Sequence, residues 1–173
     1  MSEKFIPEHI DPLRFAEQGL SLVGTVKLAD MQRLNANMPL DNDAIVRVNL
    51  QFGTDKQGTV FLEGHLETQL NLQCQRCMEP FVYGIISDFV LGIVSTLDEA
   101  NNLPERYEPA LTKDGYLALR ELIEDEIILN LPIISRHEPE DCKIKLPLTD
   151  SEWKDGKGEN PFQVLELLKH KQR

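Results

Sequence analysis

Over residues 44–52 apolar and polar positions alternate: Val46, Val48, Leu50 and Phe52 are apolar, while Arg47, Asn49 and Gln51 between them are polar. A period of two puts each set on one face of an extended chain, so this segment reads as a half-buried β-strand. The hydrophilic run 53–58 is a turn of hairpin type. Residues 59–64 and 65–73 read as the strands that follow, with Leu66, Leu70, Leu72 and Cys74 sharing a face. Pro80 marks a break, and residues 81–94 are again β-branched and aromatic. Consecutive strands with short turns predict an antiparallel sheet or a partly closed barrel, and the pattern does not choose between them.

Helical signals flank this β-rich middle. Asp11-Pro12 combines a capping side chain with a proline suited to the first helical position, and Gly19 supplies a stop, so a short helix runs to about Gln18. Leu20, Leu22 and Val26 at even spacing predict a strand to about Leu28, and a second short helix spans 31–35. Residues 97–109, acidic and rich in turn residues, read as an exposed loop. In 117–130, Leu119, Leu122, Ile123, Glu126, Ile127 and Asn130 recur at helical spacing before Pro132. This predicts one long helix over about 116–130. Glu126 lies at the edge of its apolar stripe, whereas Glu121, Glu124 and Asp125 fall on a face expected to be solvated. Residues 138–160 read as polar loop, and Trp153 there is either tucked onto the core or a contact residue. Asn160-Pro161-Phe162 opens an amphipathic helix over about 161–170, with Phe162, Leu165 and Leu168 on one stripe. The expected architecture is α+β: one globular domain over residues 1–135 and a polar C-terminal segment, 136–173, that ends in this helix.

A chain of 173 residues with 41% hydrophobic content can bury one core without disulfides or a cofactor. Its charge is more informative. The net charge is −11, and residues 61–153 hold 7 Lys/Arg against 18 Asp/Glu, whereas residues 154–173 hold 5 against 3. Affinity for nucleic acid comes largely from cations that displace counterions, so an acidic body argues against autonomous RNA or DNA binding. Such a body either keeps the protein soluble or attracts a basic partner. The N-terminus lacks the apolar stretch of a signal peptide, and no run of about 18 apolar residues suggests a membrane span. Three cysteines, two of them three positions apart, fit a reducing cytoplasm better than a secreted disulfide framework.

Sulfur carries the strongest chemical signal. Cys74 and Cys77 form a C-x-x-C at a strand-to-strand turn, the arrangement of a zinc knuckle. His137 and Cys142 are candidates for the second ligand pair of a closed, structural zinc site. The alternatives are ordinary thiols without metal and a redox pair, although the strand context supplies no helix N-terminus to activate a thiolate. His9, His65, His137 and His170 are scattered, and neither a nucleophile elbow nor a Gly-rich phosphate loop occurs. No catalytic constellation is therefore expected.

Several landmarks fall in a characteristic order: Cys74-Gln75-Arg76-Cys77, a Pro-Phe pair, Tyr107-Glu108-Pro109, the run from Glu124 through Asp125 and Glu126 to Pro132, His137 with Cys142, and Asn160-Pro161-Phe162. In this order the chain resembles the YceD family, bacterial large ribosomal RNA subunit accumulation proteins, over nearly its whole length. The resemblance implies a role in synthesis, processing or stability of large-subunit (23S) ribosomal RNA and no enzymatic activity. It also implies an association with the gene for a large-subunit ribosomal protein, and many relatives carry a second C-x-x-C where this chain has His137 and Cys142. Together with the acidic middle, this points to a non-catalytic ribosome biogenesis factor whose partner is a basic ribosomal protein or a large-subunit assembly intermediate. The competing expectation is direct RNA binding through Arg76 and Arg106 near the sheet and Lys169, Lys171 and Arg173 at the C-terminus.

Overall fold

The computed structural model describes residues 5–37 and 44–143. The chain groups into two compact units, Met1–His137 and Glu138–Arg173. The expected terminal helix, Trp153 and the landmarks Asn160, Pro161 and Phe162 lie outside the described residues.

The first unit is mixed α+β. In order it contains β1 (His9–Ile10), α1 (Pro12–Glu17), β2 (Ser21–Lys27), a 3-10 turn at Leu28–Asp30, α2 (Gln32–Asn37), β3 (Ile45–Thr54), β4 (Val60–Gln73), β5 (Pro80–Val94), α3 (Leu97–Asn101), β6 (Glu108–Leu111), β7 (Leu117–Ala118) and α4 (Leu119–Leu129). Five strands form an open sheet in the order β2-β3-β4-β5-β6, antiparallel except for the β5–β6 pair, and β1 pairs with β7 separately. The sheet does not close, so of the two expected architectures the open sheet is the one found.

Period-two alternation decides which face is buried. Val48 stands opposite Leu66, and Leu66 opposite Ser87; Phe52, Leu62 and Leu91 form another such row. These positions are buried together with Leu28, Met31, Leu34, Leu119, Ile123 and Ile127 from the helical side. Gly64 is needed in this layer, because the Phe89 ring lies where its Cβ would be, 2.1 Å from that position. The opposite face is largely solvated and presents Arg47, Glu63, Glu67, Asp88 and the apolar Val82 and Ile86.

Several elements depart from the sequence expectation. Residues 60–73 make one 14-residue strand, not two, since every residue from Val60 to Gln73 stays in the ladder on at least one side. Pro80 begins β5 opposite Gln73 rather than interrupting it. The expected loop at 97–109 contains α3 and the start of β6. Thr96 Oγ1 accepts from the Glu99 amide while the Glu99 carboxylate accepts from the Ser95 amide. That S/T-x-x-E capping arrangement nucleates α3. The long helix is only 11 residues, because Leu117 and Ala118 pair with Ile10 and His9 before the Leu119 amide bonds the Glu8 carbonyl.

The largest correction concerns Glu124, which is 4% exposed rather than solvated. It faces the start of α2, whose N-cap position is held by Met31, a side chain that cannot cap. Glu124 Oε1 accepts from the amides of Arg33 (2.7 Å) and Leu34 (3.0 Å), and Oε2 accepts from Arg33 Nε (3.1 Å). The free amides of one helix are thus satisfied by a carboxylate from another. Arg33 extends the contact to the Asp125 carboxylate and the Glu121 carbonyl. Glu126, expected at the edge of the stripe, is 8% exposed.

Candidate metal centre

The β4–β5 hairpin ends at the Gln73–Pro80 pair, and residues 74–79 make its tip. The Cys74 amide donates to the Glu79 carbonyl (2.9 Å) and the Met78 amide to the Cys74 carbonyl (2.8 Å). Met78 adopts φ 62°, the left-handed backbone that lets so short a loop close. Gln73 Nε2 braces the loop through the Met78 carbonyl (3.0 Å). A tight loop of this kind points both thiols of a C-x-x-C to one side.

The segment after α4 returns to this tip. Pro132 follows the helix end at Asn130, and the Gln75 amide then donates to the Ser135 carbonyl at 2.8 Å. His137 is delivered beside the loop: its ring packs 5.1 Å from that of Phe81, and its Nδ1 lies 3.3 Å from Cys77 Sγ. Five residues further on, the Cys142 and Asp141 amides both bond the Glu138 carbonyl in a turn. The ligand atoms of Cys74, Cys77, His137 and Cys142 all lie within 4.8 Å of one another. Cys74 and Cys142 are buried, while Cys77 and His137 are half-buried.

These residues fit a zinc ion. Zn–S bonds of about 2.3 Å and Zn–N bonds of about 2.0–2.1 Å in a tetrahedron separate the ligands by roughly 3.6–3.8 Å. The observed spacing is within about 1 Å of that geometry. Three thiols and an imidazole form the soft donor set that selects zinc over oxygen-loving ions. Four protein ligands also close the site, the pattern of a structural metal rather than a catalytic one.

The electrostatics prepare a thiolate. Burial pushes the Cys74 thiol up, but hydrogen bonds from the backbone amides of His137, Cys77 and Arg76 and from the His137 side chain outweigh it, holding the group at about 5. Donors aimed at sulfur favour its anion, the form that binds metal. The chain passes from the loop straight into β5, so the stabilisation comes from His137 and the loop amides and not from a helix N-terminus.

Of the remaining sequence landmarks, Arg76 lies within the loop, Asp125 accepts from Arg33, and Glu126 is buried on α4. Sequence reasoning missed the Arg33–Glu124 pairing, for which the apolar Met31 at a helix start was the available signal.

The family model for the large ribosomal RNA subunit accumulation protein YceD matches residues 62–169, which include all four cluster residues. A curated relative, the large ribosomal RNA subunit accumulation protein YceD of Haemophilus influenzae, is 32% identical over 99% of this chain and 100% of its own. No solved structure matches the chain. Among the described residues, no helix is long and apolar enough to cross a membrane. By the family match and the near full-length similarity, the chain belongs to the YceD family.

Proposed function

We propose that this protein is a non-catalytic ribosome biogenesis factor of the cytoplasm that supports the accumulation of large-subunit (23S) ribosomal RNA by binding a basic ribosomal protein or an assembly intermediate containing one. The observation that carries this reading is similarity along 99% of the chain to a relative named for large ribosomal RNA subunit accumulation. The acidic body supports the indirect route to RNA, since 18 carboxylate residues against 7 cationic ones over residues 61–153 repel phosphate and attract a cationic protein. Arg106, a candidate for direct RNA contact, is already engaged by the Asp55 carboxylate and lies 4.6 Å from the centre of the Tyr107 ring.

Deleting the gene should lower mature large-subunit RNA relative to small-subunit RNA, and the full chain should restore it. Unchanged precursor and mature levels would overturn the reading. Filter binding of large-subunit RNA across a salt series separates the direct route, which requires tight binding at low salt and a steep salt slope.

In the same reading the Cys74, Cys77, His137 and Cys142 cluster holds a structural zinc ion that fixes the hairpin tip. The donor set and its spacing support this role. Metal analysis of protein purified without chelator should find about one zinc per chain; a metal-free, fully folded protein would overturn it.

A further inference from the structure

The open sheet ends on β6, and between this edge strand and α4 runs a groove of about 650 Å³. Leu91, Ala110, Leu117 and Leu122 contribute its buried apolar side chains. Leu129 (74% exposed) and Leu111 (49% exposed) also line it and stand open to solvent. Glu108, Glu121, Asp125 and Glu126 supply the charge, and no Lys, Arg or His among the described residues lines the groove. Pro109 in β6 has no amide to donate, as suits an uncovered edge.

We propose that this groove is the docking site for a segment of a partner protein that places apolar side chains between Lys or Arg residues. The inference rests on the reading that the protein acts through a basic partner, and it assigns that partner a site. Charge complementarity selects the occupant: the lining carries four carboxylates and no cation, so phosphate is repelled and an ammonium or guanidinium is attracted. The apolar lining gives such a segment something to bury, which charge alone would not. At Glu126 burial and then the neighbouring Glu108 and Asp125 push the carboxyl above the ordinary glutamate range, against a hydrogen bond from Ser87, and a cation beside it would offset them.

The test uses the full chain with a photo-crosslinking side chain in place of Leu129, and a control with the same group in place of Val23 on the solvated sheet face (64% exposed). The probe is total protein extracted from large ribosomal subunits. Crosslinking from position 129, and not from 23, to a segment with apolar residues flanked by Lys or Arg is expected. Glu108→Lys should reduce it on the order of tenfold. Leu111→Ser, an exposed change that leaves the charges intact, should reduce it too. Crosslinks from 129 to ribosomal RNA or to a second copy of this chain would overturn the proposal, as would indifference to both substitutions. If basic subunit proteins bind the chain but crosslink only from position 23, the groove is wrong while the partner reading stands. If none binds at all, both fail.

Discussion

The hairpin tip and the α4–β6 groove each bury an acid, and they treat it in opposite ways. At the tip, loop amides and His137 surround Cys74 and draw its proton off despite burial. In the groove, burial and two neighbouring carboxylates push the Glu126 carboxyl above the ordinary glutamate range, against a hydrogen bond from Ser87. Glu124, two residues away on the same helix, is as buried as Glu126 but satisfied by Arg33 and Leu34. A buried acid with donors aimed at it is a finished structural device. One facing like charges lacks that compensation, and under the docking proposal a cation of the partner would supply it.

Metal removal would test the tip most severely. With zinc bound at about a thousand times its dissociation constant, chelation should cost about 4 kcal/mol, or on the order of 10 °C in Tm, and Cys77→Ser should behave as the chelated protein does. Scanning calorimetry with and without chelator reads this directly, and an unchanged Tm breaks the comparison at that end.

Next comes Glu124→Ala, which strands two α2 amides, removes the partner of Arg33 Nε and should cost about 3 kcal/mol in urea unfolding. Glu126→Gln should have the opposite sign and stabilise at neutral pH, by about 1 kcal/mol. Because the folded Glu126 binds its proton more tightly than the unfolded one, its contribution favours folding at low pH. That contribution is lost as pH rises from the ordinary glutamate range through the raised folded value. Glu126→Gln should therefore flatten the stability profile over that window. A loss of stability in both glutamate variants would erase the distinction between them.

The smallest effect concerns His65 on the solvated sheet face. Hydrogen bonds to Asp88 (2.6 Å) and then Glu67 (3.3 Å) raise its affinity for a proton. Its stabilisation is present below the ordinary histidine value of 6.5 and fades as pH rises through the higher folded value. His65→Gln should remove this slight downward slope in Tm above pH 6.5 and leave the tip and groove effects unchanged.

Much of this was readable along the chain. Alternation fixed the inward face of β3 without any tertiary information, and Asp11-Pro12 with Gly19 bounded α1 because caps act within four residues. The C-x-x-C was legible for the same reason, since both thiols belong to one turn. The loop expected at 97–109 instead forms α3, which Thr96 and Glu99 cap, and α4 is shorter than its periodicity implies because Leu117 and Ala118 pair with β1. Glu124 failed differently: its helical position pointed outward from the α4 stripe, and only α2, brought in from 91 residues away, made that side an interior.

The sequence by itself determined the α+β class, the strand faces, the C-x-x-C turn and, through the order of its landmarks, the family. Those properties depend on backbone periods, local caps and neighbouring residues. Only the tertiary structure decided that the sheet stays open, that His137 reaches Cys77, that Glu124 caps a distant helix, and that four carboxylates share one apolar groove. Each of these is a long-range coincidence in space, set by how the elements pack, and the linear pattern carries no distance between residues so far apart.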